Sequence, residues 1–117
     1  MRKKYLFLII FLISYSLVFF IGINIIYPSY LSTQLACNPN FDYQEVGIKI
    51  IGSYEEKSDT ITINAEEGTK EYNKTLAHEL THYRQSQEDR LYDCSEDGFS
   101  WWVFYNELEA YSVELIS

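Results

Sequence analysis

Basic residues are scarce in this chain of 117 residues: nine Lys and Arg stand against 17 Asp and Glu, a formal net charge of −8 at pH 7. Three of the nine, Arg2, Lys3 and Lys4, sit at the N-terminal end, so the remainder holds 6 (9 − 3) against 17, a charge of −11. Such a surface excludes nucleic acid as a partner and suits anionic headgroups poorly, because Lys and Arg are what hold phosphate. Cysteine is limited to Cys37 and Cys94, far apart in sequence. That spacing excludes the zinc sites built from close cysteine pairs. There is no internal repeat or low-complexity tract, so the chain is not a repeat array. The acidic connection of Glu88, Asp89, Asp93, Glu96 and Asp97 lacks the spacing of an EF-hand loop and reads as a solvated segment. Histidine is limited to two residues, His78 and His82.

What is abundant is an uncharged apolar run over 5–27, directly after the basic end. At about 1.5 Å per residue it crosses a hydrocarbon core of about 30 Å, and it exceeds the apolar core of about 7 to 15 residues in a signal peptide. Pro28 is expected to close it. The expected organisation is a cytoplasmic basic end at 1–4, a transmembrane helix at 5–27 and an exported domain at 28–117. The positive-inside rule places the N-terminus in the cytoplasm and the domain outside. Secretion after cleavage within Leu31-Ser32-Thr33-Gln34-Leu35-Ala36-Cys37 is the alternative. Either route delivers the two cysteines to an oxidising compartment, where an even count predicts a Cys37–Cys94 disulfide.

The remaining segments predict a small α+β domain. Segments 45–51 and 59–65 are rich in β-branched residues, and Thr60-Ile61-Thr62-Ile63-Asn64 alternates as a half-buried strand does. Gly52 to Ser58 would connect the two strands. Thr69 is the expected N-cap of the next helix, with Glu71 in its first turn. On that helix Leu76, Leu80, Tyr83 and Gln87 form a stripe expected to face the sheet, and His78, His82 and Gln85 form the next one. A final helix is expected over 99–116.

The chemistry is concentrated in His78-Glu79-Leu80-Thr81-His82. Positions i and i+4 share one helical face, so both imidazoles can turn toward a single ion. Glu79 lies one step round the helix, beside the ion rather than on it. There it can take a proton from a metal-activated water and return it to a leaving amine. A third ligand is required downstream, and Asn106-Glu107-Leu108-Glu109-Ala110 supplies two carboxylates about 200° apart on a helix, so only one can face the metal.

Together, H-E-L-T-H and the later N-E-x-x-A resemble the gluzincin metallopeptidases, the group of thermolysin and of the M1 and M48 peptidases. The resemblance covers about 40 residues, from Thr75 to Ile116. It implies a minimal zincin-like domain with His78, His82 and Glu107 as ligands of Zn2+, Glu109 being the alternative to Glu107. It also implies that Ile61, Thr62 and Ile63 form the edge strand that pairs with an extended peptide or protein substrate. The family pattern has an acidic residue four positions after the ligand glutamate. Here that position is Tyr111, whose phenol can hydrogen-bond a ligand or stabilise an oxyanion.

The expected activity is membrane-anchored, zinc-dependent hydrolysis of peptide bonds, with Glu79 as general base. The alternative is a non-catalytic membrane-anchored binding or regulatory module that retains zinc. Its motive is that few residues follow Glu107, too few to wall a substrate cleft, so a protein partner would have to complete it.

Overall fold

The computed structural model describes residues 2–38, 40–42, 45, 49–94 and 99–117. Its longest feature is a helix running from Arg2 to Cys37, long and apolar enough to cross a membrane, with none of its most apolar stretch covered by the rest of the chain. It comprises α1 (Arg2–Ile21), a π turn (Gly22–Ile26) and α2 (Tyr27–Cys37). Pro28 therefore does not close the helix, which corrects the sequence expectation. Proline lacks an N–H and its ring crowds the carbonyl four residues back. The wide π turn just before it, with Tyr27 N–H reaching back to Gly22 O, makes the room. Polar side chains take up nearby carbonyls: Asn24 donates to Phe20 O at 2.9 Å, and Ser29 donates to Ile25 O.

The uninterrupted helix carries the domain on its far end. Strands β1 (Gly52–Glu55) and β2 (Thr60–Ile63) form a two-stranded antiparallel ribbon in the register Gly52↔Ile63 to Glu55↔Thr60. The second strand falls where alternation predicts it. The first is displaced: of the expected 45–51 strand, the described residues 45 and 49–51 are not in a strand, and the others lie outside the described residues. β1 occupies what reads in the sequence as the connection, and Asp59, in the left-handed region at φ 56°, completes the short turn. Tyr54 Oη donates to the Asp59 carboxylate across that turn.

Helix α3 (Lys70–Gln87) starts at Thr69, whose side chain accepts from Tyr72 N at 3.2 Å, and helix α4 (Trp101–Leu115) starts at Ser100, which accepts from Val103 N at 3.3 Å. Each cap stabilises its helix by about 1 kcal/mol. At the other end of α4, Lys74 Nζ donates to Glu114 O at 3.0 Å, placing a cation where the helix dipole is negative. The two helices pack together, and α2 packs on α4. Among the described residues the fully excluded ones are small or polar: Ser29 and Thr33 on α2, Gln85 on α3 and Ala110 on α4. Small side chains let the helices approach closely, and the hydroxyls of Ser29 and Thr33 are satisfied within their own helix.

The face that α3 buries differs from the apolar stripe. Its buried residues are Thr75, His78, Glu79, Thr81 and Gln85, whereas Leu80 is 47% exposed. The ribbon lies against Thr75 and Glu79, and Tyr54 meets Tyr83 edge-on at 6.0 Å. The ribbon and α4 pack on α3, and the site residues occupy the face they cover. The disulfide expected from the cysteine count joins Cys37 at the end of α2 to Cys94, with Cα atoms 5.2 Å apart. Its loop, with a sequence separation of 57, is worth about 4 kcal/mol in the chain-entropy model. With so little apolar core, that constraint ties α2 to the segment between α3 and α4.

Candidate metal centre

One helical turn separates His78 from His82, and α4 brings Glu107 across from the facing helix. His78 Nε2 lies 3.2 Å from Glu107 Oε2, His82 Nε2 lies 3.0 Å from Glu107 Oε1, and the two Nε2 atoms are 3.2 Å apart. Ligand atoms about 2.0 to 2.1 Å from a shared ion lie about 3.3 to 3.4 Å apart in tetrahedral geometry. The two nitrogens are at that spacing, each faces a different oxygen of the one carboxylate, and one ligand atom from each of the three side chains lies within 4.8 Å of the others, a group that could hold a metal ion.

Partners on the far side of each ring fix which nitrogen faces the site. His78 Nδ1 lies 2.9 Å from Glu114 Oε2, an acceptor, so Nδ1 carries the proton. His82 Nδ1 lies 2.9 Å from Gln85 Oε1. The orientation of that amide is set in turn, because Gln85 Nε2 donates to Asn106 O at 3.0 Å and to Glu109 Oε1 at 3.3 Å. In the neutral rings both Nε2 lone pairs therefore converge with a carboxylate, and such an arrangement demands positive charge between them.

In the metal-free chain protons supply that charge. Burial opposes protonation of His78, but hydrogen bonds to Glu107 and Glu114 outweigh it and raise its pKa from 6.5 to about 9. His82 is raised in the same way, with burial again opposed by the Glu107 hydrogen bond. Burial resists ionisation of Glu107, yet hydrogen bonds from both histidines hold its pKa at about 2. A divalent ion would displace the protons and meet the same demand.

Glu79 borders the same cleft. It is buried, and its carboxylate makes no hydrogen bond among the described residues. Burial raises its pKa, and the neighbouring histidines pull it down. Gly52 explains how β1 comes so near. A Cβ at that position would overlap Thr75 Cγ2 and lie 3.3 Å from Glu79 Oε1, so only glycine lets the strand rest on this turn of α3.

Tyr111 packs edge-on against His78, with ring centroids 4.3 Å apart, and its hydroxyl is 2.7 Å from Ser32 Oγ on α2. Burial raises its pKa to about 12, so the phenol keeps its proton. Glu109, the alternative ligand, points elsewhere: it pairs with Arg84 at 2.9 Å and Arg90 at 2.9 Å, which hold its pKa at about 2. In the acidic connection Glu88 pairs with Arg90 at 2.7 Å, while Glu96 and Asp97 lie outside the described residues.

The cleft above the site has a volume of about 320 Å³. Its walls are α2, through Ser32, Leu35 and Ala36, and the segment 49–54. Ile61, Thr62 and Ile63 do not line it. The backbone that borders the cleft is β1, while Ile61, Thr62 and Ile63 belong to β2 of the same ribbon, and both strands pack on α3. Glu114 is the site residue that sequence reasoning missed. It stands seven residues after Glu107 and three after Tyr111, a spacing that places all three on one face of a helix and was the available signal.

No family model, no curated protein and no solved structure matches the chain.

Proposed function

We propose that the chain is a membrane-anchored zinc metallopeptidase with a minimal zincin-like domain, cutting peptide or protein substrates outside the cytoplasm. The observation that carries this reading is the convergence of His78 Nε2, His82 Nε2 and the Glu107 carboxylate, one ligand atom of each lying within 4.8 Å of the others, with Glu79 buried beside them. Two nitrogens and one carboxylate form a set that suits zinc and leaves a coordination position open. When bound, zinc supplies a Lewis acid that polarises a scissile carbonyl and lowers the pKa of water in the site.

The chain's own groups supply the rest. Glu79, free of hydrogen-bond partners among the described residues, removes a proton from water and delivers it to the departing amine. Glu114 and Gln85 hold the two imidazoles in the tautomer that offers Nε2. Ile51 O accepts from Asn64 N at 2.6 Å, and the ladder alternates from there, so Gly52 and Tyr54 direct their N–H and C=O groups away from β2. Those groups sit on the strand bordering the cleft, where an extended substrate can pair with them.

The test uses the full-length chain in bilayer nanodiscs. Native protein binds zinc one to one and cleaves members of a peptide library; Glu79→Gln keeps the metal and loses cleavage. Glu107→Gln loses the metal and Glu109→Gln keeps it. Full zinc-dependent cleavage by Glu79→Gln defeats the mechanism. Zinc bound one to one without cleavage of any peptide favours the second reading, a non-catalytic module, which is motivated by a cleft that, among the described residues, has only α2 and 49–54 for walls beyond the site helices α3 and α4.

A further inference from the structure

On the other side of α2 from the metal cleft lies an apolar groove of about 570 Å³. One wall is Gly22, Ile26 and Tyr27, and the other is Trp101 and Phe104 at the start of α4, with Tyr30 between them. Among the described residues no charged side chain lines it, Gln34 being its one amide, in a domain with a formal charge of −11 (6 − 17). Its aromatic rim is open to the surroundings: Trp101 is 71% exposed and Tyr27 is 58% exposed. Trp101 and Phe104 meet edge-on at 5.8 Å, so they form a fixed surface rather than independent side chains.

The position of the groove identifies what fills it. Gly22, Ile26 and Tyr27 belong to the apolar run 5–27 itself, and the helix is continuous through them. Whatever surrounds the upper end of that run also reaches Trp101 and Phe104 across the groove. Tryptophan and tyrosine concentrate at the boundary of headgroups and acyl chains, where an apolar ring and a polar edge are both accommodated. We propose that lipid fills this groove, holding the first turns of α4 in the bilayer interface and setting the metal cleft against the membrane surface. The lipid is zwitterionic, because the acidic domain does not favour anionic headgroups.

The consequence for substrate rests on the hydrolytic reading above. From Ile26 to the cleft residues Ser32 and Ala36 is six to ten residues of helix, about 9 to 15 Å. The interfacial layer is itself about 5 to 8 Å thick on each side. The cleft therefore opens just above the headgroups. Its substrates are segments of chains tethered to the same membrane, within about 15 Å of the bilayer.

The two tryptophans of the chain provide the test. Trp101 rims the groove, whereas Trp102 turns toward Tyr92, with ring centroids 5.2 Å apart. The full chain is placed, one copy per disc, in phosphatidylcholine nanodiscs that are plain or brominated near the headgroup end of the acyl chains. Trp102→Phe leaves Trp101 as reporter, and Trp101→Phe leaves Trp102. Blue-shifted Trp101 emission, strongly quenched by bromine, with Trp102 quenched much less, is the expected result. Emission from Trp101 typical of water-exposed indole and indifferent to bromine overturns the proposal, as does a chain that fails to co-purify with the discs. Blue-shifted but unquenched emission, with cross-linked dimers at higher loading, assigns the groove to a second copy and overturns it as well.

No zinc or peptide enters that measurement, so it stands or falls apart from the hydrolytic reading. The substrate clause has its own readout. A peptide tethered to lipid in the same disc is cut faster than the same peptide in solution, and Trp101→Asp removes the advantage while leaving cleavage of the free peptide intact. Equal rates for the two peptides with the native chain refute the clause.

Discussion

Replacing Glu114 by glutamine tests whether this carboxylate tunes the candidate metal site or merely fills space. Glutamine keeps an oxygen that accepts from His78 Nδ1, now at 2.9 Å, but removes the charge. The Lys74 contact is to the backbone oxygen of residue 114, so it survives the change. Two effects of opposite sign follow. Loss of a charged outer partner makes a histidine a poorer ligand, an effect of about 10- to 100-fold in affinity. The Glu114 side chain is 29% exposed, which places the loss at the lower end, about 10-fold or 1.4 kcal/mol.

Against that stands the proton. His78 has a pKa of about 9, raised in part by Glu114, so a zinc ion taking up the proposed site would displace a proton at neutral pH. At pH 7 the competition weakens apparent affinity by about 100-fold, a factor of ten for each pH unit below the pKa. Glu114→Gln moves that pKa back toward 6.5 and relaxes the competition. Zinc titration against a chromophoric chelator from pH 6 to 9 should then give two curves that separate with pH. Native affinity climbs to about pH 9, and the variant levels off earlier, about 10-fold weaker at the alkaline end and near parity at the acidic end. A constant deficit across the range, or none at pH 9, refutes the reasoning.

Without metal, thermal stability should peak between pH 4.5 and 6.5, the ordinary values of the two groups concerned. The stability from His78 is complete below 6.5 and is lost as pH rises through about 9; that from Glu107 is complete above 4.5 and is lost as pH falls through about 2. Melting in chelator, followed by tryptophan fluorescence, should show both flanks, and zinc should remove the alkaline one; a flat profile from pH 5 to 9 contradicts the ion-pair account. Gly52→Ala should cost about 1 to 3 kcal/mol by overpacking against Thr75. Under the proposed mechanism it should lower kcat with zinc binding retained, through the displaced Glu79 carboxylate, and unchanged melting and turnover would show that the strand has room to shift. Cys37→Ser should lower stability by up to about 4 kcal/mol, measured by denaturant unfolding against the native chain with and without reductant. An effect that persists when both proteins are reduced would locate the loss in packing around residue 37 instead.

The local features of the site were legible because they obey helix geometry. His82 follows His78 by four positions, so any helix through them puts both on one face, and Thr69 and Ser100 cap their helices with side chains that each serve the amide three residues on. Glu107 was legible as one of two carboxylates on the following helix. Choosing between it and Glu109 took the positions of Arg84 and Arg90, one from α3 and one from the connection after it, which draw Glu109 away. The first strand was misplaced because β-branched content over 45–51 outweighed Gly52, whose lack of a side chain is what lets β1 rest on α3. Of the apolar stripe Tyr83 meets Tyr54 on β1 but Leu80 stays exposed, and among the described residues α3 buries its polar stripe instead.

By itself the sequence determined the helices that carry the site and their chemistry: an apolar helix of membrane-spanning length, two histidines one turn apart, two glutamates on a later helix, and a single cysteine pair. Those follow from periodicity and residue type, which act over a turn or two of chain. Tertiary structure alone decided which atoms face the same point. The crossing of α3 and α4 brought Glu114 to the back of His78, the unbroken passage through Pro28 made α2 a wall of the cleft, and the ribbon presented β1 rather than β2. Each is a relation between residues far apart in sequence, fixed by packing and closure, and no local spacing encodes it.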